Sequence, residues 1–521
     1  MNLRLYAWQE ECLSIWHKNG RKGIINVVTG AGKTALAAAA VESLSGVGSL
    51  KIKIVVPKTF LVSQWARALR EYLQIPREEI GVYTGPLKNT TDKKFMIYVI
   101  NSARYSLARH ILNDLSAGNP VFLIADECHR YGSDENSRIF DFCPWRLGAG
   151  GTTESVYTLG LSATPYCEHY GDVLVPCLGP EIYRFSFNRA LKEGIISKFA
   201  VFYIRLQFSR FERSVYDELT DKLNKTLTRL RIMHPDIRTH NSSLFFKELS
   251  RIAGDADESS GLARAALMLT YQRKGIVCEA KARVSCVFEL LRLIRDDAKI
   301  IIFGERIETA DEIYSGLKTM FPHEAGVYHS GVHKDVGEVA LRSFENGQTR
   351  ILVSCRTLDE GLSVTGADVG IIVSSTNSNR QRIQRLGRVL RKKNGCRPAY
   401  FYYLYVDDTT EESDVFRDCA DGTVNMVSFI DLDFYNGAFS NAFYDNLTNA
   451  VLARAVEKGW REATLTEMKH NFKNGIIACD WLMTKKDCEE YIKLAKNRRE
   501  RNYYTAMLYL ITEREKDTNG I

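Results

Sequence analysis

Three short segments of the 521-residue chain carry residue types at spacings suited to handling a phosphate ester. Thr29-Gly-Ala-Gly-Lys-Thr34 directly follows the apolar run Gly23–Val28 and directly precedes the helix-forming Ala35–Val41. Thr29, Gly30, Ala31 and Gly32 are small enough for backbone N–H groups to close around phosphates, and the helix start adds its positive end. Lys33 would then reach the β- and γ-phosphates, and the Thr34 hydroxyl would hold Mg2+. Val27 stands where the usual pattern has its first glycine. Asp126-Glu-Cys-His129 closes a second apolar run, Val121–Ala125. There Asp126 offers oxygen to a hard cation, and Glu127 could orient and deprotonate an attacking water. The third segment, Gln384-Arg-Leu-Gly-Arg-Val-Leu-Arg391, spaces its arginines three apart on one helix face. Arg388 and Arg391 could stabilise the charge that develops on a γ-phosphate during hydrolysis. The plainer readings are a glycine-rich turn, an acidic strand end and a solvated basic face. Gly387 argues against the last, because a surface helix gains nothing from glycine.

These segments must be held by something, and the apolar pattern says what. Short runs without alternation occur at Gly23–Val28, Lys51–Val56, Phe95–Ile100, Val121–Ala125 and Tyr157–Leu161, and again at Lys299–Phe303, Arg350–Ser354, Val369–Ser374 and Tyr400–Tyr405. Such runs read as parallel strands buried on both faces, with helices packed over them. The chain is therefore expected to be α/β, with two tandem parallel-sheet domains. Between them, charged amphipathic stretches such as Phe211–Met233 and Ser243–Ile252 predict a helical insert. Beyond the acidic Asp407–Asp414 the strand pattern stops, and the tail reads as mostly helical, with Thr484-Lys-Lys-Asp487 as a capping box. The expected divisions are 1–200, 201–280, 281–408 and 409–521.

Composition narrows the class. The chain is 45% hydrophobic and 26% charged with 11 prolines, which suits ordinary buried cores and excludes a disordered protein. The start, Met1–Glu10, lacks the apolar run of a secretory signal, and Ala35–Val41 is too short to span a bilayer. No membrane association and a cytoplasmic location are expected. The 12 cysteines include no Cys-x-x-Cys pair, so neither a zinc framework nor a disulfide scaffold is implied. The net charge of +7 permits an anionic partner without requiring one.

Taken together, residues 3 to 406 resemble a superfamily 2 helicase, and the order of the motifs carries the resemblance. Leu5-Tyr-Ala-Trp-Gln9 is similar to the glutamine motif that reads adenine, with Tyr6-Ala7 in place of the common Arg-Pro. Thr29–Thr34 resembles motif I, Val56-Pro-Lys-Thr-Phe-Leu-Val-Ser-Gln-Trp65 motif Ia, and Asp126–His129 motif II. Leu161-Ser-Ala-Thr-Pro165 resembles motif III, so Ser162 and Thr164 would couple the nucleotide site to the nucleic-acid track. Ile301-Ile-Phe-Gly304 resembles motif IV, Ser354-Cys-Arg-Thr-Leu-Asp-Glu-Gly361 motif V, and Gln384–Arg391 motif VI. The resemblance implies two RecA-like lobes that bind ATP and Mg2+ between them, with Gln9, Asp359 and Gln384 joining the nucleotide site. It also implies nucleic-acid phosphate contacts near Thr59, Ser102 and Thr357. Leu178–Tyr183, Leu191–Ile196 and the run from Val353 to Lys393 are similar to the XPB-like branch, alongside RadD helicases, the phage UvsW helicase and restriction-type motors. Where that branch has an Arg-Glu-Asp element, this chain has Cys167-Glu-His169. With the glutamine motif at the start, no damage-recognition domain is expected ahead of it.

The expected function is an ATP-dependent DNA helicase or translocase, with DNA favoured over RNA as the track and a protein partner for the C-terminal domain. An RNA-directed helicase is the first alternative, because phosphate contacts alone do not separate the two acids. The second is a catalytically idle nucleic-acid scaffold. It predicts decay at Lys33, Glu127 or Arg388, and all three are intact.

Overall fold

The computed structural model describes residues 4–85, 88–89, 92–143, 155–196, 199–235, 237, 242–255, 259–294, 296–355, 367–374, 399–411 and 428–440, with separate positions between 449 and 512. The first lobe is a seven-stranded parallel sheet. Its strands are β1 (Ile24–Val27), β2 (Lys51–Val56), β3 (Ile80–Tyr83), β4 (Phe95–Val99), β5 (Val121–Asp126), β6 (Val156–Ser162) and β7 (Glu181–Phe185), in the order β3-β4-β2-β5-β6-β1-β7. All side chains of β4 are buried, as are five of the six in β2, so both faces of the sheet are covered and alternation is lost. The helices α1 (Ala7–Lys18), α2 (Lys33–Ser43), α3 (Phe60–Leu73) and α4 (Ile100–Ser116) supply that cover. Helix α1 is fixed by Trp8, Cys12 and Trp16, all buried, and the Trp16 indole donates to the Thr158 carbonyl on β6 at 2.9 Å.

The second lobe is an eight-stranded sheet. It contains β8 (Phe199–Leu206), β9 (Ile300–Gly304), β10 (Ala325–Tyr328), β11 (Ile351–Cys355), β12 (Val369–Ile372), β13 (Ala399–Val406), β14 (Ser428–Tyr435) and β15 (Ala438–Ser440). The order is β10-β11-β9-β12-β13-β8-β14-β15, parallel except for the β14–β15 hairpin. Three helices, α5 (Arg210–Met233), α6 (Ser242–Gly254) and α7 (Ser259–Cys278), form the insert. A capping box opens α5, with Ser209 and Glu212 satisfying each other's backbone N–H groups. Helices α8 (Lys281–Leu293), α9 (Ile307–Met320) and α10 (Lys334–Glu345) pack on the second sheet, and α11 (Lys485–Leu494) lies in the tail.

Two expectations are corrected here. Residues 201–206 are not part of the insert. They complete β8, which pairs parallel with both β13 and β14, so the chain enters the second sheet before the insert begins. The insert is thus an excursion from the second lobe and not a linker between lobes. The strand pattern also resumes beyond residue 414: β14 adds to β8 in register from Ser428↔Ala200 to Phe434↔Leu206. Two aspartates, Asp431 and Asp433, break β14, Ser-Phe-Ile-Asp-Leu-Asp-Phe-Tyr, so it holds no continuous apolar run of strand length. Thr484 lies outside the described residues.

One cluster of buried apolar side chains runs from Trp8, Ile54 and Phe185 through Ile195 and Ile196 to Val201, Tyr203, Phe303 and Phe401, so the two lobes share a continuous core. The insert has its own core of Leu223, Leu230, Leu249, Ile252 and Ala266. Among the described residues no disulfide forms, and no helix is long and apolar enough to cross a membrane.

Candidate functional site

The chemistry-bearing residues of the first lobe meet at the C-terminal edge of three adjacent strands, β5, β6 and β1. That is where parallel α/β sheets present ligands. The loop after β1 turns on Gly30 and Gly32, with φ of 87° and 99°, conformations that side chains rarely adopt. Gly32 caps α2, whose first residues are Lys33 and Thr34. Ala31 is buried beneath the loop, and Thr29 stands at its entry, partly exposed. Gln9 reaches this loop from α1: its amide donates to the Gly32 carbonyl at 3.0 Å, while its Oε1 accepts the Tyr6 N–H at 2.9 Å. Trp8 holds Gln9 in place by stacking on Phe185 at 4.6 Å.

Across the cleft, β5 ends in Asp126, and Glu127 follows in the left-handed region at φ 49°. That strained turn directs the Glu127 carboxylate to Lys33, whose Nζ lies 3.2 Å from Glu127 Oε1. Asp126 accepts two hydrogen bonds, from the Trp65 indole N–H at 2.9 Å and from the Glu127 N–H at 3.1 Å. Burial, and then the neighbouring Glu127 carboxylate, push Asp126 up to about 6; Lys33 and the Trp65 bond act against that rise. His129 is buried with its Nδ1 2.9 Å from Ser162 Oγ and 3.5 Å from Glu127 Oε2. Ser162 Oγ also accepts the Thr164 N–H at 3.0 Å. A chain of contacts therefore runs from Lys33 through Glu127 and His129 to Ser162 and Thr164.

A phosphate fits the cradle: two left-handed glycines, a helix N-terminus and one lysine face the same space. The donor set also suits a hard cation, since the Thr34 hydroxyl and the Asp126 carboxylate offer only oxygen. Beside this cleft lies a cavity of about 640 Å³ lined by Lys58, Asn101, Arg130, His169 and, from the insert, Lys247. Thr59 immediately precedes α3 and is exposed; Ser102 lies in the first turn of α4. Each is the sequence neighbour of a lining residue, Lys58 or Asn101, which follow the C-terminal ends of the adjacent strands β2 and β4. Thr357, Asp359, Gln384, Arg388 and Arg391 lie outside the described residues. In the sequence Trp65 is legible only as the end of a motif, and its bond to Asp126 is not. An indole with no partner in an otherwise apolar helix face was the available signal.

Comparison with known proteins decides the family. Residues 2–167 match the family model of the type III restriction enzyme res subunit, and residues 282–393 that of the helicase conserved C-terminal domain. Over 393 residues the chain is 30% identical to the DNA 3'-5' translocase XPB2 of Sulfurisphaera tokodaii, covering 75% of this chain and 80% of that one. The chain belongs to the XPB-like superfamily 2 helicases. Membership makes it an ATP-hydrolysing enzyme of the helicase and translocase class. A more distant relative, the DNA 3'-5' helicase XPB of Mycobacterium tuberculosis, is 22% identical over 395 residues, and the chain spans 59% of its length. Among solved structures, the fold is shared with the helicase MrfA bound to DNA and AMPPNP, at a TM-score of 0.53, 14% identity, 82% of this chain and 52% of that one. It is also shared with the type ISP restriction-modification enzyme LlaBIII bound to DNA, at 0.52 and 13% identity over 99% of this XPB-like chain and 40% of that one.

Proposed function

We propose that the protein is an ATP-driven DNA translocase or helicase in which the cleft at β1, β5 and β6 hydrolyses ATP. The observation that carries this reading is the convergence of Lys33, Asp126 and Glu127 on the phosphate-binding loop, with Lys33 paired to Glu127 at 3.2 Å. DNA is favoured as the track because the relative sharing 30% identity is named a DNA 3'-5' translocase.

The residues act as follows. Gln9 holds the loop and would meet adenine through the second N–H and the second lone pair of its amide. The loop N–H groups of 30–34 and the α2 N-terminus receive the phosphates, and Lys33 leaves Glu127 for the β- and γ-phosphate oxygens. Released from its ion pair, the Glu127 carboxylate orients a water and takes its proton as that water attacks the γ-phosphorus and the bond to the β,γ-bridging oxygen breaks, with ADP leaving. Thr34 and Asp126 would hold Mg2+, which neutralises the charge shared by the phosphate oxygens. Arg388 and Arg391, with Gln384 and Asp359, would complete the site from the second lobe, so hydrolysis requires lobe closure. His129, Ser162 and Thr164 pass the state of Glu127 towards the cavity lined by Lys58, Asn101 and Lys247. Backbone phosphates would enter there beside Thr59 and Ser102, with Thr357 opposite, contacts that fix register without reading sequence.

The divisions follow the same reading: a nucleotide lobe to about residue 196, a second lobe containing the helical insert, and an accessory C-terminal region that docks a protein partner. A cytoplasmic location suits such a motor. The test is ATP hydrolysis measured without nucleic acid and with duplex DNA, single-stranded DNA or single-stranded RNA, for the parent and Glu127→Gln. DNA stimulation lost in the variant supports the reading. Stimulation by RNA alone replaces DNA with RNA as the track, and an unstimulated rate that Glu127→Gln leaves unchanged overturns the assignment of Glu127.

A further inference from the structure

The Trp65 indole stands out among buried polar groups because its acceptor is a site carboxylate on another element. On α3, Leu61, Val62, Trp65 and Leu69 form the buried face, and Trp65 is only 3% exposed. An indole N–H is a donor only and needs an acceptor when buried. Its acceptor is Asp126 Oδ2, 61 residues away in sequence, at 2.9 Å. The second oxygen, Oδ1, accepts the Glu127 N–H at 3.1 Å. The Asp126 carbonyl is held too, 2.6 Å from the buried Tyr131 hydroxyl, which also lies 3.0 Å from Val55 O on β2. The carboxylate plane is therefore set from two sides: by its own strand's exit turn, and by helix α3, which begins just after Thr59.

We infer that Trp65 is a positioning residue for the metal site. Its N–H fixes the rotamer of Asp126 and, with the Glu127 N–H on the other oxygen, leaves one lone pair on each carboxylate oxygen for a cation. Without the N–H, Asp126 is free to turn towards Lys33, whose charge already bears on it. The ring itself fills the α3 core, so shape and hydrogen bond can be separated by experiment. The inference rests on the ATP–Mg2+ reading of the cleft.

The test uses the full chain with Glu127→Gln, so that ATP is bound and not consumed, and a fluorescent ATP analogue as probe. Analogue binding is titrated with Mg2+ for three forms: Trp65 intact, Trp65→Phe, and residue 65 replaced by benzothienylalanine, which keeps the ring shape and lacks the N–H. We expect analogue affinity in EDTA to stay within about two-fold, while the Mg2+ needed for half-maximal binding rises roughly 10- to 100-fold in both N–H-less forms, the usual cost of losing a group that orients a metal ligand. A purely structural role would lower the melting temperature without moving the Mg2+ midpoint. Equal Mg2+ midpoints in all three forms overturn the inference. If the intact form shows no Mg2+-dependent binding, or Lys33→Ala binds the analogue as well as it does, the ATP-site reading itself fails and this inference with it.

Discussion

Lys33 and Glu127 each neutralise the other while the phosphate loop waits, at 3.2 Å and about one-eighth exposed. A general base held in an ion pair is a poor base, so nucleotide binding both recruits Lys33 and unmasks Glu127. Glu127→Gln keeps the hydrogen-bonding shape and removes the base. Its kcat should fall roughly 10²- to 10⁴-fold with ATP affinity retained, measured by single-turnover hydrolysis and equilibrium binding. A second titratable group lies far from this chemistry. His110 on α4 is buried against the Tyr98 hydroxyl at 3.1 Å. Burial, followed by the charges of Lys53 and Arg109, holds its imidazole below the usual value, with Asp114 opposing. The sign follows: above the normal histidine range the ring is neutral folded or unfolded, and below it the unfolded chain gains a proton that the folded one refuses. Stability should therefore drop as pH falls from 7.5 through 6, and His110→Gln should flatten that part of the slope in urea denaturation.

Elements set these residues in place, and one backbone position shows how tightly. Gly32 sits at φ 99°, and a Cβ there would lie 3.0 Å from Gln9 Nε2. Gly32→Ala should cost about 1–3 kcal/mol of stability from the left-handed backbone and also weaken ATP binding by displacing Gln9. In a Gln9→Ala background the clash is gone and the strain stays, so the stability loss should persist in thermal melts. The strand–loop–helix units were the part of the fold most legible in the sequence. Lys51–Val56 matches β2 residue for residue; Ile52, Ile54, Val55 and Val56 carry the apolar signal, and the buried Lys53 is tolerated because it pairs with Asp114 at 2.7 Å. β3 and β10 were not found: each has four residues and includes a glycine, too short to stand out. β8 reads as apolar, yet its partners β13 and β14 lie some two hundred residues on, and local sequence does not say which sheet claims it. In the site, Gln9, Lys33, Asp126 and Ser162 were readable as motifs. Trp65 was not, since its role depends on which strand end α3 lies against.

At the scale of the molecule, the second lobe is stitched by Arg283, fully buried on α8. Its guanidinium donates to the carbonyls of Val277, Val373 and Leu404 and pairs with Glu411, joining the insert's last helix, the ends of β12 and β13, and the start of the tail. Arg283→Met strands the Glu411 charge and should cost about 3–5 kcal/mol, read as a lower denaturation midpoint.

The insert is attached differently. Its own core around Leu223 and Leu249 is rooted in the second lobe's core by Tyr216 and Val277, and it meets the first lobe through Lys247 and Glu168, both more than half exposed. An exposed pair contributes little and is screened by salt. That is a closure thermal motion can open, and it sits over the cavity proposed to receive DNA, at the Cys167-Glu-His169 element where the branch usually carries Arg-Glu-Asp. The insert should therefore swing away from the first lobe when the pair is broken, while each body keeps its internal structure. Dyes placed through introduced residues at 138 in the first lobe and 251 on α6 would report the distance. Energy transfer should fall between 50 mM and about 500 mM salt, where the Debye length shrinks to roughly 4 Å. It should start low and stay flat in Glu168→Lys, and return in Glu168→Lys combined with Lys247→Glu. Transfer insensitive to salt and to the charge swap would mean that apolar contacts hold the insert, and then α5 to α7 would move with the first lobe as one body.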